Sequence, residues 1–154
     1  MQQLTPHFSL DELTATQAGD RAGIDNRPRT PTLQRNLLRT AQALEQVREL
    51  LGGVPIIISS GYRSPAVNRL VGGAQTSAHL QGLAVDFMAP AFGTPRDVAL
   101  ALIARGGQIP WDQIIMEGRW VHLGLAASGA VPRREALTAH FVRGLPTSYT
   151  RGVM

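Results

Sequence analysis

The chain has 154 residues, of which 44% are hydrophobic and 17% charged, and it contains no cysteine. This composition is typical of a folded globular domain and excludes a disordered chain, a disulfide framework and thiolate metal sites. The net charge is +4, and all 15 basic residues are arginines. They are scattered and do not form the basic stripe of a nucleic-acid-binding surface, so no nucleic-acid partner is expected.

The length predicts a single domain over residues 1–154. No apolar run approaches the roughly 18 residues of a membrane span. Residues 1–6 lack the basic and apolar regions of a signal peptide. We therefore expect a protein without a membrane span that is cytoplasmic on synthesis. The sequence leaves the oligomeric state open, with a monomer favoured.

Four helices are predicted from capping residues and apolar spacing. Ser9 and Glu12 form a capping box ahead of a short helix, which a loop through Gly19 and Gly23 should follow. Thr30-Pro31 begins the longest helix, which ends at Gly52-Gly53 and repeats leucine, alanine and valine at helical spacing. Two further helices follow the same Ser/Thr-Pro signal and span residues 66–70 and 95–104.

Short apolar, β-branched segments predict strands at 54–59, 83–88, 113–116 and 120–123. Glycine at the first position of the turn Gly118-Arg119 favours a hairpin between the last two. Within the tail 126–154, segments 137–142 and 147–149 are consistent with one more hairpin. Helices come first and partly hairpin-linked strands follow. This order predicts an α+β domain, with helices on one side of a small, mainly antiparallel sheet.

Three side chains are candidate metal ligands. His79 and Asp86 lie seven residues apart with Gly82 between them, and His122 follows much later. Asp86 lies in an apolar strand, where a buried carboxylate needs a cation or hydrogen-bond donors. Zinc hydrolases bind the metal through three nitrogen or oxygen side chains and keep one position open. Two histidines and one carboxylate match that pattern, whereas His7 and His140 have no such context.

These ligand candidates belong to a longer pattern, which comprises Ser59-Ser60-Gly61-Tyr62-Arg63-Ser64-Pro65, Asn68, Gly72-Gly73, Ser77-x-His79-x-x-Gly82-x-Ala84-x-Asp86 and Trp120-Val121-His122. The pattern resembles the zinc D-alanyl-D-alanine carboxypeptidase-like peptidoglycan peptidases, whose fold is shared with the hedgehog signalling domain. The segment from His7 to Leu13 and Asn26-x-Pro28 resemble the phage endolysin-type branch. The likeness covers about residues 7–125 and leaves the tail unexplained.

The resemblance implies that His79, Asp86 and His122 bind one zinc ion. It also implies that Arg63 and Ser77 bind the substrate. The planar fork of Arg63 could hold a carboxylate or polarise the scissile carbonyl. The roles of three residues stay open. Ser77 could instead cap a turn. Tyr62 and Asn68 could line the pocket or could have a packing or turn role.

The general base departs from the family pattern. Many relatives place a glutamate three residues before the last histidine, where this chain has Arg119. In a hairpin that turns at Gly118-Arg119, the side chains of Glu117 and His122 share one face of the sheet. Glu117 is therefore the predicted base, and the open alternatives are an exposed, uninvolved Glu117 or a base at Asp112 or in the tail.

The expected function is zinc-dependent hydrolysis of an amide bond in the peptidoglycan stem peptide. The enzyme would be an endopeptidase or a carboxypeptidase resembling a phage or prophage lysin. The alternative is a catalytically inactive, zinc-containing domain that binds the cell wall or forms part of a virion. The displaced glutamate keeps that alternative open.

Overall fold

The computed structural model describes residues 2–154, so Met1 of the predicted domain lies outside the described residues. The helices are α1 (Leu10–Thr14), α2 (Gln17–Ala22), α3 (Pro31–Leu50), α4 (Pro65–Leu70) and α5 (Pro95–Arg105). The strands are β1 (Gln3–Thr5), β2 (Phe8–Ser9), β3 (Ile57–Ser60), β4 (Ala84–Met88), β5 (Trp111–Met116), β6 (Val121–Leu125), β7 (Glu135–His140) and β8 (Ser148–Arg151). A single 3₁₀ turn, Ala78–Gln81, precedes β4.

The main sheet has six strands in the order β3-β4-β6-β5-β7-β8. Every neighbouring pair is antiparallel except β5 and β7, which are parallel. The predicted α+β class with a mainly antiparallel sheet is therefore confirmed. The long connection from β6 to β7 passes β5, which explains the parallel pair.

The two faces of the sheet differ because side chains alternate along each strand. In β4, Val85 and Phe87 are fully buried in the apolar core, while Asp86 between them points to the other face. Val121 and Leu123 flank His122 in the same way. The core also contains the buried faces of α3 and α5, so the helices pack on the apolar side of the sheet and leave the polar side for a site.

The predicted helix starts are confirmed, including the capping box of Ser9 and Glu12 and the Thr30 cap of α3. The predicted loop through Gly19 is wrong. The Thr16 hydroxyl accepts a hydrogen bond from the Gly19 amide and caps α2, which ends at Gly23 in the left-handed conformation. The small sheet of β1 and β2 was also not predicted, because two such short strands carry no measurable alternation.

The longest helix, α3, has 20 residues and presents one buried face to the core. Within residues 2–154, no helix combines the length and apolar character that crossing a membrane requires. The tail hairpin is present and comprises β7 and β8, which form the outer two strands of the main sheet.

Candidate metal centre

Strand pairing brings two of the predicted ligands together. Asp86 of β4 lies directly opposite His122 of β6, so their side chains leave the same face of the sheet. His79 comes from the 3₁₀ turn just before β4. Gly82 ends that turn with φ of 70° and redirects the chain into β4, a backbone conformation that favours glycine.

The three side chains form one compact, buried group. Asp86 Oδ1 lies 3.0 Å from His122 Nδ1 and 3.4 Å from His79 Nε2. One ligand atom from each residue lies within 4.8 Å of the others. The exposed fractions are 2% for His79, 8% for His122 and 9% for Asp86. Among residues 2–154 this is the group of histidines and carboxylates arranged to hold a metal ion.

The backbone fixes how His79 is presented to this group. His79 Nδ1 lies 2.7 Å from the carbonyl oxygen of Gly61, to which it can donate, and this leaves Nε2 free to act as a ligand. A side chain at Gly61 would overlap the Leu13 backbone, so glycine permits the segment that carries this carbonyl to pack directly against α1. The Ser77 hydroxyl accepts a hydrogen bond from the His79 amide at 3.2 Å, which fixes the start of the turn.

The donor set fits a single zinc ion. Burial by itself would raise the pKa of Asp86, but contacts with His122 and His79 bring that pKa below its usual range, so Asp86 is an anion. A nearly buried anion beside two imidazoles needs a positive charge nearby, and a divalent cation would supply it. Nitrogen and oxygen ligands from two histidines and one carboxylate match the composition of three-ligand zinc centres.

Glu117 lies at the end of the β5–β6 hairpin, as predicted. Ile115 pairs with His122, and the Glu117 amide donates to the Trp120 carbonyl at 3.0 Å, which extends the ladder to the turn. Trp120 Nε1 also donates to the Glu117 carboxylate at 2.9 Å and orients it. Burial and the charge of Asp86 raise the pKa of Glu117. Arg119, at the usual glutamate position of the family, is exposed in the turn.

A cleft of about 600 Å³ lies over the metal ligands and Glu117. Arg63 lines it, and its amide donates to the His79 carbonyl at 3.1 Å. The buried Arg63 Nε has no hydrogen-bond partner within residues 2–154. Burial lowers the pKa of Arg63, and Asp86 and Glu117 oppose that shift, so the guanidinium faces both acids. Ser77 also lines the cleft.

Two predicted pocket residues take the structural roles that the sequence left open. Tyr62 is 4% exposed and belongs to the hydrophobic core instead of the cleft wall. Asn68 is buried behind the loop that contains Gly73 and Ala74, and its Nδ2 donates to the Ala74 carbonyl at 3.0 Å. That loop lines the cleft, so Asn68 supports the wall from behind.

Other titratable candidates are engaged elsewhere. The Asp112 carboxylate accepts hydrogen bonds from the Arg133 amide and guanidinium at 2.6–3.0 Å, which argues against its being the base. His7 pairs with Glu45, and His140 contacts the Thr150 hydroxyl. Neither histidine joins the metal group, in agreement with the sequence analysis.

The sequence analysis missed the contribution of the tail to the cleft. Arg133, Leu137 and Tyr149 all line the same cleft as the metal ligands. No local motif marks these residues, because their placement depends on the parallel pairing of β7 with β5. It also did not assign the structural role of Asn26, which is buried and accepts a hydrogen bond from the Ser64 amide while its own amide donates to the Tyr62 carbonyl. Asn26 thereby holds the segment on either side of Arg63.

Comparison with known proteins agrees with this geometry. The sequence profile described as Peptidase M15 matches residues 6–124, which include all three metal ligands and Glu117. This chain belongs to the peptidase M15 family. The predicted resemblance to zinc D-alanyl-D-alanine peptidases is thus confirmed at the level of the family.

One similar protein is the zinc D-Ala-D-Ala carboxypeptidase of Streptomyces albus G, which is 39% identical to this chain over 74 residues. The aligned stretch spans 48% of this chain and only 28% of that protein. The tail from residue 125 onward lies outside the M15 match.

Proposed function

We propose that this M15 protein is a zinc-dependent peptidase that hydrolyses an amide bond of peptidoglycan. One observation carries the proposal: a buried His79-Asp86-His122 group and an oriented Glu117 carboxylate line the same cleft. A metal-binding group alone would suit a structural role. A carboxylate placed beside it, with a pKa raised by burial, is what general acid–base chemistry needs.

A zinc ion held by His79, Asp86 and His122 would supply Lewis-acid polarisation of the scissile carbonyl and activation of the attacking water. Glu117 then accepts the proton of the water and delivers it to the leaving amine. The hydrogen bond from Trp120 Nε1 holds one carboxylate oxygen in place. The raised pKa of Glu117 suits this transfer, because the carboxylate takes up the proton of the water more readily and can still release it to the more basic leaving amine.

Arg63 is proposed to bind the substrate. Its guanidinium lines the cleft, is half-buried, and has an unpaired Nε within the described chain. A substrate carboxylate or carbonyl oxygen would satisfy that donor, and the planar fork allows two parallel hydrogen bonds. Ser77 acts through His79, since its hydroxyl accepts from the His79 amide and fixes the turn that carries this ligand.

The proposed substrate is the stem peptide of peptidoglycan. Support comes from the family membership and from the relative that is named a D-Ala-D-Ala carboxypeptidase. The segment from His7 to Leu13 and Asn26-x-Pro28 resemble the phage endolysin-type branch, which favours a lysin of a phage or prophage. In the structure these segments brace the site, because Asn26 joins the end of α1 to the Tyr62 backbone.

The decisive experiment is mass spectrometry of peptidoglycan incubated with the purified protein. Samples contain the protein as purified, the protein treated with a chelator, and the chelated protein with zinc restored. We expect new amine and carboxyl ends at one bond type, absent after chelation and restored by zinc. Intact peptidoglycan in all three samples, together with zinc-dependent binding to the wall, would instead identify the inactive binding domain.

A further inference from the structure

The tail beyond the M15 match forms one end of the cleft. Of the cleft-lining residues, Arg133, Leu137 and Tyr149 come from this tail. Leu137 pairs with Ile115, which itself pairs with His122, so the row of side chains that contains a metal ligand continues into β7. The tail therefore extends the floor of the cleft beyond the family domain.

Specific contacts hold the tail in this position. The Arg133 guanidinium pairs with Asp112 at 2.7 Å, and Arg134 Nη1 donates to the Ile109 carbonyl at 2.7 Å. The Arg134 guanidinium also lies 4.9 Å from the ring centre of Trp111. On the outer strand, the Thr138 hydroxyl donates to the Gly152 carbonyl at 2.7 Å. The part of the tail that lines the cleft is thus part of the folded sheet.

Tyr149 faces Glu117 across one small residue. The last parallel pair of β5 and β7 is Met116 with Thr138, and continuing that register by one residue puts Glu117 level with Ala139, which pairs with Tyr149. Strands lie about 4.8 Å apart, so the Cα atoms of Glu117 and Tyr149 are roughly 10 Å apart. Between them Ala139 presents only a methyl group. Tyr149 is 53% exposed and lines the cleft, and the Glu117 charge contributes to its raised pKa, which keeps the phenol protonated.

The chemistry decides which part of a substrate lies here. Glu117 protonates the leaving amine, so the peptide beyond the cleaved bond starts beside Glu117. From there the cleft floor continues over Ala139 to Leu137 and Tyr149. These residues offer an apolar floor and one phenol hydroxyl, and Asp112 and Glu135 compensate the charge of Arg133. Such a surface suits an uncharged stretch of peptide backbone with small side chains.

From this arrangement we infer that Leu137 and Tyr149 form a leaving-side subsite and that the enzyme cuts within peptides instead of removing a single terminal residue. This inference rests on the proposed function, because it takes Glu117 as the proton donor. It also assigns a role to the tail and distinguishes an endopeptidase from a carboxypeptidase.

The test uses two synthetic peptides that share the residues before the cleaved bond, as located by mass spectrometry. One continues for a single residue after that bond and the other for four. We expect the wild-type kcat/KM to be roughly tenfold higher for the longer peptide, on the scale of one good side-chain contact. Tyr149→Ala should lower kcat/KM for the longer peptide more than for the shorter one and bring the ratio between the two peptides close to one.

Phe141→Ala is the matched control, since Phe141 is an exposed aromatic residue of the same hairpin that lies outside the cleft lining. It should keep the preference for the longer peptide. A wild-type preference near one, or an equal loss on both peptides in Tyr149→Ala, would overturn the subsite while the proposed hydrolysis stands.

A binding measurement keeps the subsite testable without turnover. Calorimetry compares the affinity of Glu117→Gln and of Glu117→Gln/Tyr149→Ala for an intact pentapeptide stem. An affinity about tenfold weaker in the double variant supports Leu137 and Tyr149 as a peptide-binding subsite even if the wild type cleaves nothing, in which case the proposed function and the assignment as an endopeptidase fail together. Equal affinities, or no binding by either protein, overturn the subsite.

Discussion

The centre of the main sheet and its outer edge contribute to the same cleft in different ways. At the centre, β4 and β6 hold Asp86 and His122 in a directly opposed pair beneath a buried His79. At the edge, β7 and β8 contribute exposed side chains such as Tyr149 and lie outside the M15 match. Both regions are strands of one sheet, but the hydrophobic core cluster of the described residues contains side chains of β4 and β6 and none of β7 or β8.

This difference separates chemistry from substrate selection. Metal ligands need fixed positions, and a central strand provides them because its neighbours and the core restrain it on three sides. The residues that line the cleft at the edge of the sheet tolerate substitution, because an edge strand can vary its exposed side chains without disturbing the core. Variants at the centre should therefore affect metal binding and rate, and variants toward the edge should affect substrate preference or stability alone.

The largest effect is expected at the metal ligands. Asp86→Ala removes the only anion of the ligand set, so we expect loss of stoichiometric zinc, measured by elemental analysis, and loss of detectable hydrolysis. His79→Ala should act in the same way. His140→Ala is the control, because His140 lies in the outer hairpin outside the metal group. Full zinc retention in both ligand variants would refute the assignment.

Glu117 should separate metal binding from catalysis. Glu117→Gln keeps the shape and the contact with Trp120 but cannot take up a proton. We expect turnover to fall by about 10²-fold or more, as for loss of a general base, with one zinc retained per chain. The control is Arg119→Gln in the exposed turn two residues away, where turnover should stay near wild type. Near-normal turnover in Glu117→Gln would mean that another group transfers the proton.

Arg63 should affect the substrate more than the fold. Arg63→Lys keeps the charge and loses the fork, so we expect kcat/KM to fall roughly tenfold to a hundredfold, on the order of one lost charged hydrogen bond. The melting temperature should barely move. Arg69→Lys, on the exposed end of α4, provides the comparison and should change neither quantity. A large loss of stability with unchanged turnover would assign Arg63 a structural role.

The smallest effect is expected where the tail joins the sheet. Burial would raise the pKa of Asp112, but contacts with Arg133 outweigh it and lower that pKa, so the charged form stabilises the fold. Asp112→Asn should reduce the free energy of unfolding by at most ~1 kcal/mol at pH 7, as for partly exposed ion pairs. The difference should shrink as the pH falls below about 4, where the unfolded chain begins to bind the proton, and should disappear only below the lowered pKa of folded Asp112.

Urea denaturation at pH 7 and pH 3 measures this difference, and the exposed Glu49→Gln variant is the reference. A loss of several kcal/mol, or one that grows as the pH falls, would contradict the proposed attachment of the tail.

Local sequence determined much of this protein. Capping residues and helical spacing placed α3 and α5 to within a residue or two, because these signals act between neighbours along the chain. The ligand set was also predicted from the sequence, chiefly through the resemblance of its motif to the zinc peptidases, and the apolar context of Asp86 agrees with it because a buried carboxylate needs a partner. The hairpin at Gly118 then placed Glu117 on the face of His122, because alternation along a strand fixes its two sides.

Tertiary structure alone decided the rest. The position of β7 beside β5 depends on a parallel pairing between distant segments, which no local pattern encodes, so Tyr149 could not be assigned to the cleft. Tertiary structure also decided the roles of Tyr62 and Asn68. The motif predicted that they lie near the site, but both are buried, so they support the site from behind and do not line the cleft. A side chain's sequence neighbours limit its conformation, but contacts with distant segments determine what it faces.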